Sequence, residues 1–286
     1  MLRRYLLKRL VVAIPSLIIA SLIIFTLPRL LPGDAVQLML EEKAYGKDLD
    51  DLRHKLGLDR PIYIQYFTWI GQVVRGNLGE SLWTRRTVVE ELGSRLPVTL
   101  LLAAMAGSFS ILIGIPIGVL SAVRADTLRD YVARSLAILG LSVPGFWLAT
   151  LVIILPGFIL GIASGAAIMR LTRAMLLEVL RQDYVRTAWS KGLRERVVVL
   201  KHSLKNAVIP VITILGIQFA QIFSATVIIE SIFQLPGMGR FLFDAILQRD
   251  YPVIQGINLL VVSIIVLINL LVDLTYAVLD PRIRYS

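Results

Sequence analysis

Five long stretches of the 286-residue chain carry no charged side chain, and they constrain the fold more than any other feature. They cover residues 10–28, 96–123, 135–169, 206–229 and 251–272, and each is 19 to 35 residues long. A helix that crosses the roughly 30 Å hydrocarbon core of a bilayer needs about 20 consecutive apolar residues. The mean hydropathy of +0.75 and the charged fraction of 17% agree with this requirement. The sequence therefore predicts an all-α membrane protein that crosses the bilayer several times.

The composition also excludes several kinds of chemistry. Because the chain has no cysteine, disulfides and cysteine-ligated metal sites cannot form. The two histidines, His54 and His202, lie far apart in sequence. The sequence contains neither a G-x-x-x-x-G-K-[ST] phosphate loop nor an H-E-x-x-H metal motif. We therefore predict no catalytic residue, no metal ligand and no cofactor bound by this chain, and we do not expect it to be an enzyme.

The distribution of charge predicts the topology. The first nine residues carry four basic and no acidic side chains, so the N-terminus is expected in the cytoplasm. Segment 32–95, with ten acidic and nine basic residues, is expected outside, whereas the basic segments 124–134 and 170–205 are expected in the cytoplasm. An even number of crossings must separate these two segments, so residues 135–169 should hold two helices. The prediction is six transmembrane helices with both termini in the cytoplasm.

This topology accounts for the whole basic excess of the protein. The cytoplasmic segments carry 18 basic and six acidic residues. The external segments carry 12 basic and 13 acidic residues. The net charge of +10 therefore follows from the positive-inside bias, and nucleic-acid binding is not expected. One difficulty is that 35 residues are few for two crossings. We expect both helices to extend past the flanking Arg134 and Arg170, with a very short external connection near 155–157 or a loop missing there.

The cytoplasmic segment from Asp183 to Arg196 has the most informative local pattern. Asp183 is expected to cap a helix of about two turns, Lys191–Gly192 to end it, and a second helix to follow near Arg194–Ser203. Val185, Ala188 and Trp189 would give the first helix a partly apolar face with a basic rim. Such a face suits docking into a groove on a partner, and a helix that lies on anionic lipids is the alternative.

The polar residues within the predicted spans have two interpretations each, and the small residues have one. Gln218, Ser224 and Asn258 could face a translocation path, although hydrogen bonding between helices is the favoured role. Asp273, an acid inside the last span, has a structural role or a role in transport. Small residues predict close helix packing, namely at Gly114, Gly118, Gly157, Gly161 and Gly165.

Several short motifs and their order along the chain resemble those of the membrane permeases of binding-protein-dependent ABC importers, in particular the dipeptide, oligopeptide and nickel subfamily. The resemblance covers nearly the whole chain. In the external segment and second helix it rests on Leu31–Asp34, Gly57–Pro61, Gly76–Ser81 and Leu96–Leu100. In the cytoplasmic loop and the C-terminal third it rests on Arg170–Arg173, Asp183–Ala188, Lys191–Leu193, Lys205–Pro210, Glu230–Phe233, Pro236–Gly239, Arg249–Pro252 and Leu279–Tyr285.

The resemblance implies a fold, a mechanism and a set of contacts. The fold is the six-helix type I importer permease, divided into a first helix at 1–31, an external segment at 32–95, a transmembrane core at 96–280 with a coupling loop at 178–205, and a tail at 281–286. In this family an E-A-A-x-x-x-G loop contacts the ATPase, and only its Ala188 and Gly192 are kept here. The coupling residues carried over are Asp183, Tyr184, Arg186, Thr187, Ala188, Ser190, Lys191, Gly192 and Leu193.

The resemblance also implies the partners and the location. They are a second homologous permease, two P-loop ATPases that hold ATP and Mg²⁺, an extracytoplasmic solute-binding protein, and the lipid of a prokaryotic inner membrane. Peptides are the expected solute, and nickel complexes, haem and oligosaccharides stay open.

A secondary transporter or channel that works without ATPases is the alternative from another class. It would be expected to show inverted repeats and charged groups at the membrane midplane, and the sequence shows neither.

Overall fold

A computed structural model of the chain describes residues 2–30, 59–151 and 156–279, and these residues are almost entirely helical. The described helices are, in chain order, α1 (Leu2–Leu30), α2 (Ile62–Val74), α3 (Val88–Val123), α4 (Leu128–Ser142), α5 (Gly145–Leu151), α6 (Pro156–Leu180), α7 (Asp183–Ser190), α8 (Glu195–Val197), α9 (Leu204–Ile232), α10 (Met238–Gln248) and α11 (Tyr251–Leu279). A π-helical turn, Val198–Ser203, joins α8 to α9. Part of the predicted external segment, residues 32–58, and the predicted tail, residues 281–286, lie outside the described residues.

Five helical stretches within the described residues are long and apolar enough to cross a membrane. They are Val11–Leu30, Val88–Val123, Pro156–Leu180, Glu195–Ile232 and Tyr251–Thr275. The prediction of an all-α, multi-pass membrane protein is therefore confirmed. The expected second helix near Arg194–Ser203 is not separate, because Glu195 begins a helical stretch that continues through the π-helical turn to Ile232.

The remaining apolar stretch, between α3 and α6, is divided into the two helices α4 and α5. The break lies at Val143–Pro144, where Val143 is extended (φ −84°, ψ 121°). Proline lacks the amide hydrogen that helix continuation requires, and it disfavours helical geometry at the residue before it. As expected, the helices extend past Arg134 and Arg170, since α4 begins at Leu128 and α6 ends at Leu180.

Of the connection expected near 155–157, only Pro156 and Gly157 are among the described residues. Pro156 and Gly157 do not form the turn, because they are the first two residues of α6. Residues 152–155 lie outside the described residues.

Helix α3 extends well beyond the uncharged stretch that predicted it. It begins at Val88, and the Thr87 hydroxyl caps it by accepting a hydrogen bond from the Glu90 amide (3.3 Å). Its 36 residues correspond to a length of about 54 Å at 1.5 Å per residue. The predicted boundary between the external segment and the core, at residue 95, therefore falls inside this helix.

Helices α3 and α6 run parallel and in very close contact. A Cβ atom added to Gly114 would lie 2.6 Å from the Gly165 carbonyl oxygen, and one added to Gly161 would lie 2.9 Å from that of Ala106. Residue numbers increase in the same direction along both helices at these contacts. The prediction that the glycines serve close packing is confirmed here.

Three other pairs of neighbouring helices run antiparallel. Thr99 of α3 contacts Glu230 of α9, whereas Gly107 lies against Phe219. Asp130 of α4 pairs with Arg173 of α6, and Gly140 lies against Ile162. In the pair α1 and α11, Arg9 contacts Asp273 at one end, and Arg29 lies near Tyr251 at the other.

These directions define two ends of the bundle. The α7 end contains Arg9, Asp130, Arg173 and α7, whereas the α2 end contains Arg29, α2, the start of α3 and α10. A buried apolar core lies between the ends, with contributions from α3, α6, α9, α10 and α11, and it includes Leu102, Ala106, Ile159, Ile222, Phe223 and Ile257. The core holds the long helices in fixed positions relative to one another.

Candidate functional site

Helix α7 is a two-turn helix between two span-length helices, as the sequence predicts. It covers the eight residues Asp183–Ser190. Asp183 is not the cap, because Gln182 occupies the capping position without a side-chain hydrogen bond. Asp183 instead lies in the first turn, where a carboxylate interacts favourably with the helix dipole.

Gly192 ends this helix in the way that the sequence predicts. Its φ of +72° lies in the left-handed region that glycine adopts at little cost. Its amide donates to the Trp189 carbonyl oxygen (2.9 Å), and the Lys191 amide donates to that of Thr187 (3.2 Å). The turn sends the chain towards Glu195, where the next helical stretch begins.

The inner face of α7 packs against its own chain, and this corrects one prediction. Val185 and Ala188 were expected on a docking face, but both are buried. They form a small apolar cluster with Val198, and Val179, Leu180 and Leu193 pack around it. Ala188 therefore permits the close helix approach that the sequence suggested, but this approach is to the protein's own helices.

The outer face of α7 exposes the other predicted coupling residues. Tyr184 and Trp189 are 44% and 43% exposed, so this face keeps a large aromatic surface. Arg186 and Asp183 form an exposed pair, with 3.6 Å between Nη1 and Oδ1. The hydroxyls of Thr187 and Ser190 donate to backbone carbonyl oxygens one turn earlier, and Lys191 is exposed.

Two connections join α7 to the long helices. The first is the apolar contact of its inner face with the end of α6 at Val179 and Leu180. The second is the Asn206 side chain of α9, whose Nδ2 donates to the Tyr184 hydroxyl (2.8 Å). A displacement of α7 would therefore act on both α6 and α9.

The surface around α7 is basic. Segment 170–205 contains nine Lys or Arg against three acidic residues. Seven of the basic residues within 181–205 are exposed, namely Arg181, Arg186, Lys191, Arg194, Arg196, Lys201 and Lys205. An acidic protein surface is the complementary partner for such a patch.

The four residues predicted to face a translocation path each make a different contact. Gln218 is buried, and its Oε1 accepts a hydrogen bond of 3.4 Å from Ser164 of α6. Ser224 and Asn258 donate to carbonyl oxygens of their own helices, at Ala220 and Ile254. The Asp273 carboxylate lies 3.3 Å from Arg9 Nε of α1. These contacts favour helix packing for Gln218 and Asp273, and their role in a path stays a prediction.

A charged cluster near α7 was missed by sequence reasoning. Arg173 makes two hydrogen bonds of 2.7 Å to the fully buried Asp130, which also accepts a bond from the Ser121 hydroxyl. The cluster joins α3, α4 and α6. Asp130 and Arg173 are 43 residues apart, so no local pattern signals their contact.

Two buried carboxylates at the α2 end were also missed. Glu230 accepts hydrogen bonds from the Thr99 hydroxyl (2.6 Å) and the Arg240 amide (3.0 Å), which fix the loop before α10. Asp250 accepts from the Ser81 hydroxyl (2.5 Å). Burial raises the pKa of Asp250, and this hydrogen bond acts in the opposite direction. Among the described residues, no group of three His, Asp or Glu side chains could hold a metal ion.

The fold places the chain in the class of multi-pass helical membrane proteins. Residues 114–285 match the family described as "Binding-protein-dependent transport system inner membrane component", and residues 1–103 match the N-terminal family of the same membrane component. The chain belongs to this family. It is a permease subunit of an ABC importer in the bacterial cytoplasmic membrane, so the resemblance inferred from sequence is confirmed. The family works with a solute-binding protein and an ATPase, and this chain is the membrane subunit rather than the enzyme.

Similar proteins span the whole chain. The dipeptide transport system permease protein DppB of Alkalihalophilus pseudofirmus is 37% identical over 330 residues, which cover 98% of this chain and 99% of the relative. The glutathione transport system permease protein GsiC of Escherichia coli is 38% identical over 303 residues, which cover 99% of both chains. GsiC of Pectobacterium atrosepticum is 39% identical with the same coverage. These aligned stretches are longer than the 286 residues of the chain, so the relatives contain residues that it lacks.

Proposed function

We propose that the outer face of α7 is the contact through which the ATPase drives this permease. The observation that carries the proposal is the division of α7 into two faces. Val185 and Ala188 anchor the helix to its own chain, while Tyr184, Trp189 and Arg186 stay exposed. A short helix that is firmly held on one side and presents aromatic and basic groups on the other is suited to transmit a push from a partner.

The same geometry supports a mechanism of alternating access. Closure of the ATPases would move α7, and its contacts with Leu180 and Asn206 would carry the movement to α6 and α9. Both helices would then tilt as rigid bodies and open the pathway outwards to accept solute from the binding protein. Rigid-body movement of packed helices is a common form of such transitions.

We propose six spans, with the third formed by α4 and α5 together. The helix directions support this, because α3 and α6 run parallel and the chain must cross back between them. The antiparallel contacts of α4 with α6 fit that return. Both termini then lie at the α7 end, which is the cytoplasmic end, and segment 32–95 is external.

The connection before Pro156 is short in this chain. The relatives contain residues that this sequence lacks, and we propose that an external loop at this connection is among them. The division of the chain at 1–31, 32–95, 96–280 with the loop 178–205, and 281–286 stays part of this proposal.

The proposed assembly contains two permeases, two P-loop ATPases with ATP and Mg²⁺, and one external solute-binding protein. The coupling residues in it are Asp183, Tyr184, Arg186, Thr187, Ala188, Ser190, Lys191, Gly192 and Leu193. Among them, Ala188 and Leu193 act by packing α7 onto the bundle, and the exposed residues act by contact.

We propose short peptides as the solute. This rests on relatives named for dipeptide and glutathione transport, since glutathione is itself a short peptide. Gln218, Ser224, Asn258 and Asp273 remain the residues proposed to face the path.

Purification with gentle solubilisation tests the proposal. Mass spectrometry should identify a second permease and P-loop ATPases with the tagged chain, and the ATPase activity should increase when the solute-binding protein is added. A Trp189→Ala, Arg186→Ala double variant should retain insertion but release the ATPases. If the chain purifies alone and moves solute in liposomes without ATP, the secondary transporter is correct and the proposal is wrong.

A further inference from the structure

The α2 end of the bundle contains a cavity that the proposed transport function does not use. Its volume is about 210 Å³, and it lies between the end of α1, α2, the loop before α3 and the start of α11. Four of the residues that line it are Arg29, Arg60, Trp69 and Gln255. The cavity is large enough for a small polar group such as a phosphate.

The lining supplies hydrogen-bond donors and positive charge. The Trp69 Nε1 and Gln255 Nε2 atoms are buried, and within the described part of the chain neither has a hydrogen-bond partner. Gln255 is only 3% exposed. A buried donor without an acceptor is unfavourable, so these two groups indicate an acceptor that occupies the cavity.

The charge of the lining identifies the kind of acceptor. Arg29 and Arg60 both line the cavity, and the described lining residues include no carboxylate. Arg29 is held in place because its Nη1 donates to the Phe25 carbonyl oxygen (2.7 Å) and its guanidinium lies 3.6 Å from the Phe25 ring centroid. It makes no ion pair within the described residues. Arginine with additional N–H donors is the typical recognition set for an oxyanion.

The surroundings place the cavity at the level of lipid headgroups. Helix α2 contains no charged residue, and it exposes Ile62, Tyr63 and Phe67, the last to 68%. Leu30 at the end of α1 is also exposed. A helix with exposed apolar and aromatic side chains at the end of a span is typical of the membrane–water interface. The oxyanion that is abundant at this depth is the phosphate of a phospholipid.

We propose that this cavity binds the phosphate of a phospholipid headgroup in the external leaflet. Arg29 and Arg60 supply the positive charge, and Trp69 and Gln255 donate hydrogen bonds to the phosphate oxygens. The bound lipid fixes α2 against the ends of α1 and α11. This site lies at the opposite end of the bundle from the coupling loop.

Native mass spectrometry of the purified protein, with any subunits that accompany it, tests the site. The delipidated sample is titrated with phosphatidylglycerol in one arm and with inorganic phosphate in another. Gln255→Glu replaces the donor with a negative charge and should weaken lipid binding at least tenfold. Gln248→Glu is the matched control, because Gln248 is exposed at the same end and does not line the cavity. It should bind lipid as the parent protein does.

The second variant is Trp69→Phe, which keeps an aromatic side chain but removes the pyrrole ring of the indole with its N–H donor. Trp69→Phe should weaken lipid binding severalfold. It provides the test of the site if Gln255→Glu fails to fold. Equal lipid binding by the parent protein, Trp69→Phe and Gln255→Glu would overturn the proposal. If inorganic phosphate binds with the same dependence on Gln255 and phosphatidylglycerol does not, the site takes a soluble anion and the lipid assignment is wrong.

Discussion

Replacement of Gly192 tests whether the shape of the coupling loop matters to transport. Its φ of +72° is a conformation that costs an ordinary L-residue about 1–2 kcal/mol. A Cβ atom added there meets no atom within 4 Å, so the cost comes from the backbone and not from a clash. Asparagine tolerates this conformation well, whereas a β-branched residue tolerates it poorly.

The expected effect follows from these energies. A cost of about 1–2 kcal/mol shifts the balance between the native turn and its alternatives by a factor of about 5–30. We expect Gly192→Val to lower ATP-driven uptake by up to that factor, Gly192→Ala to have an intermediate effect, and Gly192→Asn to stay near the parent rate. Membrane insertion should be unchanged, because the turn lies outside the apolar core.

Uptake of labelled dipeptide into proteoliposomes measures this series. The vesicles hold the complete transporter with ATP on the ATPase side and the solute-binding protein on the other. Gly71→Val is the matched control, since Gly71 lies in helix α2 without a positive φ and also has open space around it. Full uptake by Gly192→Val would refute the coupling role of the loop. Equal losses for Gly192→Asn and Gly192→Val would refute the backbone explanation.

Two further predictions concern stability. Gly114→Ala would place a Cβ 2.6 Å from a backbone oxygen of α6, so we expect a loss of about 1–3 kcal/mol and a lower thermal midpoint. Gly93→Ala in the same helix meets no atom within 4 Å, so it should raise stability by up to about 1 kcal/mol, and a loss at both positions would contradict the packing argument. Burial raises the pKa of Asp250, so its neutral form is favoured in the folded protein. The protonated Asp250 therefore contributes to the stability of the folded state. This contribution is complete below about pH 3.9, the ordinary pKa of aspartate, and is lost as the pH rises through the folded-state pKa. Asp250→Asn should make the thermal midpoint less dependent on pH above about pH 3.9, and an unchanged slope would show that another group titrates.

Features with a local cause could be predicted from the sequence. Gly192 after Lys191 indicates a helix end by itself, because the left-handed conformation of one residue needs no distant contact. The C-terminal end of α7 follows for the same reason, whereas its N-terminal cap is Gln182 and not the predicted Asp183. The uncharged stretches likewise identify spans, because the bilayer imposes the same requirement on every crossing.

Features that depend on a partner could not be predicted. An apolar face at Val185 and Ala188 shows that something covers it, but the pattern does not distinguish another protein from the same chain. The start of α3 at Val88 was missed because charges mark the limit of the membrane and not the end of a helix. The contact of Asp130 with Arg173 depends on how two helices pack.

Because of the π-helical turn Val198–Ser203, the segment between α7 and α9 cannot change its number of residues without a change in the packing of α9. A π turn accommodates one residue more than an α turn, and each residue rotates a helix by about 100°. Removal of a single residue from this turn would rotate all later side chains of α9 together. Gln218, at the middle of the helix, would then point away from Ser164, and Glu230, near its end, would point away from Thr99. The contacts of α9 therefore fix the length of this segment.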